Sequence, residues 1–306
     1  MTATTTATEQ APSQSVPRLQ MVAAFAAIYL FWGGTFLAIR YAVAEVPPLL
    51  TIGIRCAGGT LILFVWLAAR GRLERTTAAE WRVAALAGVL LFLGCHAVMA
   101  WAEQRVTSGQ AALFLATIPL WLVLLDATIR RRWPRARVIA GLAAGTLGVA
   151  VLTLQGGGDW SAGGTLLDRV ALAFCGLAWA AGSLIARHGA RPASAVQSTT
   201  LQLATGAVAV LAASLATGEL AGWDPATLSP RALASLAFLV VCGTVLAFAA
   251  YTWLLRVTTA AAVGTYAFVN PVVALGLAWA VGDEVASGRT LLAAALVVGA
   301  VLLIRE

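Results

Sequence analysis

The stretch PPLLTIGIRCAGGTLILFVWLAA, residues 47–69, is apolar throughout except for a single arginine, Arg55. A run of this length matches the roughly 20 residues a helix needs to cross a bilayer, and a charge inside hydrocarbon is costly enough to require a role. Arg55 lies seven residues past Pro48, so its Cα stands about 10 Å from the end of the helix, a depth from which a long side chain can partly snorkel. Three roles compete: snorkelling, pairing inside the bundle with a carbonyl, helix end or carboxylate, and capture of a substrate carboxylate. Arg55 shares a helical stripe with Thr51, so we expect it inside the bundle in a structural or gating role.

The rest of the chain is of the same kind. Of its 306 residues, 60% are hydrophobic and only 11% charged, and the mean hydropathy is +0.88, which excludes a water-soluble globule. A net charge of +7 raises nucleic acid as a partner, but the arginines fall between apolar runs, where basic residues set membrane topology. No nucleic-acid partner is therefore expected; the partners are the lipid bilayer and a small-molecule substrate. Cys56, Cys95, Cys175 and Cys242 all lie inside apolar runs, so they offer neither a disulfide framework nor a metal-ligand spacing. No metal or other cofactor is expected.

Residues 1–17, MTATTTATEQAPSQSVP, are polar and proline-broken and read as a disordered cytoplasmic tail. Apolar runs then fall at about 19–41, 48–69, 81–104, 109–129, 136–154, 165–187, 193–216, 230–256, 260–281 and 289–304. None shows the period-two alternation of a transmembrane strand, so the fold class is an all-α integral membrane protein of ten helices. With the N-terminus inside, fourteen arginines face the cytoplasm (among them Arg70, Arg72, Arg75, Arg130, Arg131, Arg132 and Arg187) and five face outward. That excess places both termini in the cytoplasm.

The chain also repeats. A shift of 147 residues lays Trp32 on Trp179, Arg40 on Arg187, Thr51 on Ser198, Arg55 on Gln202 and Gly59 on Gly206; a shift of 152 lays Pro119 on Pro271. The chain divides accordingly into a first five-helix repeat at 18–154, a linker loop at 155–164 and a second repeat at 165–306. Five is odd, so the second copy enters from the opposite side. Loop charge agrees: 70–82 and 130–137 are rich in arginine, whereas their counterparts 217–231 and 282–289 carry one arginine each, plus Glu219, Asp224, Asp283 and Glu284. Inverted repeats of this kind are typical of secondary transporters that expose one central site alternately to each side.

FWGGTFLAIR with PPLLTIGIR in the first two helices, ATIPLWLVLL in the fourth, and VNPVVALGLAWAVGDE with LLAAALVVGAVLL in the last two together resemble the drug/metabolite transporter superfamily, specifically its EamA-type ten-helix members. The resemblance covers nearly the whole chain after the tail and implies transport without fixing a substrate. The aromatic-rich spans are similar to bacterial aromatic and neutral amino-acid exporters of the YddG type. One feature departs from the family pattern: the acid that often follows the fourth helix as well as the ninth is replaced here, because GDE at 282–284 aligns with Arg130–Arg132.

Helical spacing groups the polar and aromatic residues into faces. The substrate-binding candidates are Trp32 and Trp179, mid-helix and symmetry-related; His96, the one histidine within a span; Gln110 and Phe114 in the fourth helix; Gln202, the mate of Arg55; and Tyr251, Tyr266 and Asn270. Each has a plainer reading, since a polar stripe also bonds neighbouring helices and an aromatic also packs a core. His96 can meet a substrate carboxylate, carry a proton, or simply be satisfied by a neighbouring helix. Pro119 and Pro271 each free a carbonyl one turn earlier, near Leu115 and Ala267, and with Arg55 are the structural or gating candidates. The fifth and tenth helices are rich in small residues and assigned to packing or a homodimer contact.

No acid sits at the centre of any span, which counts against lipophilic cations as substrates. Aromatic, amide, hydroxyl and imidazole groups instead suit a neutral or zwitterionic solute. An intramembrane hydrolase would need a serine and histidine able to meet, or paired aspartates, and neither pairing is evident. The expectation is a multi-pass inner-membrane carrier, not an enzyme, that exports amino acids with aromatic or neutral side chains through a central aromatic cavity. Export of another metabolite or drug is the alternative.

Overall fold

The computed structural model describes residues 17–106, 111, 114–153, 164–280 and 288–304, and the described residues are helical apart from turns and short loops. The first half contains α1 (Arg18–Ala42) and α2 (Pro48–Ala69). In α3 the pieces Ala78–Gly88, Val89–Ala97 and Val98–Glu103 run on without a break. Then come α4 (Ile118–Arg130) and α5 (Ala136–Thr153). The second half contains α6 (Leu166–His188), α7 (Ala195–Ala216), and α8, built from Pro230–Phe238, Leu239–Leu246 and Ala247–Val257. It closes with α9, Ala260–Gly264 followed by Tyr266–Ala280, and α10 (Gly288–Ile304). Among the described residues, α1, α2, α3, α6, α7 and α8 are long and apolar enough to cross a membrane.

Local chemistry sets where these helices begin. Thr77 and Glu80 form a reciprocal capping box at the start of α3, as do Thr165 and Asp168 at the start of α6, satisfying amides that a helix start leaves bare. Pro48 and Pro230 occupy the first helical position of α2 and α8, where a missing N–H costs nothing.

Two pairs of equivalent helices, α2 with α7 and α5 with α10, pack antiparallel, as an inverted repeat requires. In α2 and α7, Gly53 lies against Leu211 and Gly59 against Leu203; in α5 and α10, Gly141 meets Ile304 and Gly148 meets Val297. With no hydrophobic drive between helices in lipid, such close approach of small residues supplies the packing. The glycine stripe of α5 is thus used within the chain, against α10 and against Phe268 of α9.

At both ends of the α2/α7 pair, one half caps the other. The Glu219 carboxylate accepts from the Leu49 and Leu50 amides at 3.2 and 3.0 Å, orphan donors at the start of α2. At the opposite end Gln197, in the first turn of α7, accepts from the Glu74 amide at 2.8 Å and donates to the Glu74 carbonyl at 2.7 Å. Beside Glu219, the Glu45 carboxylate takes the Ser229 amide and hydroxyl at 2.7 and 2.6 Å. Those two bonds, the hydroxyl's foremost, hold its pKa below the ordinary glutamate value.

Candidate functional site

Two structural irregularities, each present in both halves, shape the centre of the bundle. The first is a widened, π-type turn at Val89–Ala97 in α3 and at Leu239–Leu246 in α8. Widening tilts carbonyls out of the usual four-residue ladder, so they can meet side chains. The His96 Nδ1 bonds the Leu91 carbonyl at 2.9 Å, and the Thr244 hydroxyl donates to the Leu239 carbonyl at 2.8 Å; both side chains reach back five residues. The Cys95 carbonyl takes the Cys175 thiol of α6 at 3.3 Å, while the Gly243 carbonyl takes the Trp32 indole N–H of α1 at 2.8 Å. Leu91, Cys95 and His96 correspond to Leu239, Gly243 and Thr244, so each half's first helix bonds the widened turn of the other half.

The second irregularity is a break in α4 and α9. Before α4, the Thr117 hydroxyl donates to the Phe114 carbonyl at 2.6 Å; in α9, the Thr265 hydroxyl donates to the Ala262 carbonyl at 2.6 Å. The helices therefore turn at these threonines and not at freed carbonyls near Leu115 and Ala267. Pro119 sits buried in the first turn of α4, where its missing N–H is harmless, and touches Gly264 of α9. Pro271 lies inside the second piece of α9. The proline-to-proline match is thus offset by about one helical turn from the structural equivalence, which pairs Thr117 with Thr265.

Around these irregularities the structure gathers seven rings from α1, α3, α6, α8 and α9. Trp32 meets Tyr266, Tyr251 and Trp179 at centroid distances of 4.7, 5.2 and 5.8 Å. His96 lies edge-on to Trp179 at 5.1 Å and stacks on Phe92 at 5.7 Å, and Phe92 meets Phe248 at 5.1 Å. Such pairs each add about 0.5–1.5 kcal/mol beyond area burial. Their polar atoms are bonded too: the Trp179 indole N–H donates to the Tyr251 hydroxyl at 3.0 Å, which donates to Ser183 at 2.6 Å, whose own proton goes to the Trp179 carbonyl at 2.7 Å.

A recess lies on either side of this cluster. One is lined by Val43, Pro48, Thr51, Arg55, His96 and Met99; the other by Arg187, Ser198, Gln202, Thr252, Leu255 and Arg256. The first lies at the start of α2 and the second at the start of α7. These helices run antiparallel, so the recesses lie toward opposite ends of the bundle. They are symmetry mates: Thr51 and Arg55 in one stand where Ser198 and Gln202 stand in the other. The Arg55 guanidinium is buried, with its Nε donating to the Thr244 hydroxyl at 3.0 Å.

Trp32, His96, Trp179, Tyr251 and Tyr266 therefore come together in one cluster, with Arg55 and Gln202 in the flanking recesses. Phe114 does not join them; it packs near Ala102, Val106 and Leu172. Asn270 is buried against α1, its backbone carbonyl near Gly33, and its side-chain oxygen has no partner. Gln110 lies outside the described residues. Sequence reasoning had missed Ser183, one turn beyond Trp179 and findable by that spacing. It had also missed Arg187, read only as a topology charge, and Gly243, whose role belongs to its carbonyl and leaves no side-chain signal.

Comparison with known proteins places this architecture. The model of the EamA-like transporter family matches twice, at residues 19–154 and 170–305. The inner membrane transporter YedA of Escherichia coli K12 is 30% identical over 287 residues, covering 94% of this chain and 90% of YedA. A transporter of Archaeoglobus fulgidus is 22% identical over 245 residues, 79% of this chain and 82% of its own. A solved crystal structure 23% identical, covering 94% of this chain and 96% of its own, superposes with a TM-score of 0.74 and shares the fold. With the family unit present in both halves, and equivalent helices antiparallel, this chain is a multi-pass membrane protein of the EamA-like transporter family, within the drug/metabolite transporter superfamily.

Proposed function

We propose that the protein is an inner-membrane carrier that exports small neutral or zwitterionic metabolites, foremost amino acids with aromatic or neutral side chains, by alternating access. One observation carries this reading: a closed cluster of seven rings stands between two symmetry-related recesses at opposite ends of the bundle. Parting α1 and α3 from α6 and α8 on one side joins the cluster to one recess, and the inverted movement joins it to the other. The cluster's ring faces suit an ammonium or an aromatic side chain, and its hydroxyl, indole and imidazole groups suit a carboxylate or amide. Within the repeats at 18–154 and 165–306, α1–α4 and α6–α9 are the moving walls, and α5 and α10 serve as packing. The nearer likeness to YddG-type exporters belongs to the same proposal.

The test is counterflow in proteoliposomes of purified protein, with labelled neutral, aromatic, acidic and basic amino acids, with and without a pH gradient. Saturable exchange of neutral or aromatic members is expected. If no amino acid exchanges while sugars, nucleosides or lipophilic compounds do, the amino-acid assignment is wrong and the other-metabolite reading takes its place.

A further inference from the structure

We infer that the solute carries a carboxylate, taken up by the Arg55 guanidinium at the floor of the recess at the start of α2. The inference rests on the carrier reading above and adds the group by which the solute is recognised.

Arg55 is only 5% exposed, and a desolvated guanidinium is costly unless an anion or a full set of acceptors compensates it. Its Nε is held by the Thr244 hydroxyl at 3.0 Å, and because that hydroxyl's own proton goes to the Leu239 carbonyl at 2.8 Å, it can only accept from Arg55. This fixes the plane of the guanidinium. Among the described residues, the carboxylates in ion pairs, Asp126 and Asp168, belong to Arg130, His188 and Arg105, and none pairs with Arg55. Its Nη1 and Nη2 remain as a fork of the geometry that binds a carboxylate through two parallel bonds. Nη2 lies beside Gly243, where an added Cβ would stand 3.6 Å away.

The same recess offers a place for an ammonium. A carbonyl can only accept, so the bond between His96 Nδ1 and the Leu91 carbonyl puts a proton on Nδ1. In the neutral ring Nε2 then keeps its lone pair. His96 and Arg55 line one recess and present an acceptor and a cation together, the complement of a zwitterion. In the opposite recess Gln202 replaces Arg55, and the guanidiniums that line it belong instead to Arg187 and Arg256.

The test is thermal unfolding of the purified full chain with L-phenylalanine, L-leucine, 3-phenylpropionate and lactate, each paired with its amide, and with sodium chloride as a separate arm. In the wild type each acid should stabilise at concentrations about tenfold or more below those its amide needs. Arg55→Gln, which installs the residue the other half already carries, should erase that preference, and Arg55→Lys should keep part of it. Equal action of acid and amide on the wild type, or no shift by any acid, overturns the proposal, and so does a preference that survives in Arg55→Gln. Chloride acting alone, with no preference for acid over amide, identifies an adventitious ion only and overturns it as well. If 3-phenylpropionate and lactate show the preference but the two amino acids do not, the carboxylate site stands and the amino-acid reading falls.

Discussion

Replacing Tyr251 with phenylalanine removes one oxygen from the middle of the ring cluster and leaves the ring. That oxygen is fully buried, accepts the Trp179 indole N–H at 3.0 Å and donates to Ser183 at 2.6 Å. Without it the indole N–H is left dry and unpaired, at about 1–3 kcal/mol, and the bond to Ser183, worth about 1 kcal/mol, is lost. Burial of apolar area hardly changes, so the total is about 2–4 kcal/mol. Helix-to-helix bonds in membranes average only about 0.6 kcal/mol because freed groups find other partners; a larger loss therefore reports a cluster closed to water. Equilibrium unfolding in mixed micelles gives the value, and combining Tyr251→Phe with Ser183→Ala should return a coupling of about 1 kcal/mol. A Tyr251→Phe cost near 0.5 kcal/mol, or strict additivity in the double variant, would show that the network does not seal the core.

Gly145→Ala places a Cβ 2.5 Å from the Phe268 ring and should destabilise by about 1–3 kcal/mol through overpacking, visible as a lowered midpoint in the same unfolding assay. The pKa of Glu45 is lowered by Ser229, so the stabilisation its contacts provide is complete above the unfolded value of about 4.3. It fades as pH falls through the lower folded value, and the protection of the Ser229 amide, taken as its exchange rate relative to the intrinsic rate at each pH, should drop in that window and stay flat from neutral pH down to it. His96→Ala and Trp179→Ala should each impair counterflow while inserting normally; wild-type rates in both would remove the ring cluster from the transport route.

Much of this architecture was legible in the amino-acid sequence because its causes are local. Run length and bounding charges locate α1, α2, α6 and α7 to within a few residues, and the shift that lays Trp32 on Trp179 anticipates two rings that meet at 5.8 Å. The irregularities were not legible, because their causes are distant. Nothing within VLLFLGCHA at 89–97 announces a widened turn; it is answered by Cys175 and, in the mate, by Trp32, which lie 80 and 211 positions away. Proline drew attention to the breaks in α4 and α9, yet Thr117 and Thr265 make the bonds there. For the site, spacing singled out Tyr251 and Tyr266, and the fold brings both rings against Trp32. It could not tell that Phe114 would be drawn toward Leu172, since that depends on how α4 meets α6.

The widened turns also set the phase of the helices that carry them. One extra residue in a turn rotates everything beyond it by about 100° and sets it back by about 1.5 Å relative to an uninterrupted α-helix. Met99 and Trp101 in α3, and Tyr251 and Arg256 in α8, are therefore aimed by an offset that lies upstream of them. Each half's first helix holds that offset in the other half, Cys175 in α3 and Trp32 in α8. α3 and α8 are thus keyed like two screws, each with its thread position fixed by a tooth on the opposite body.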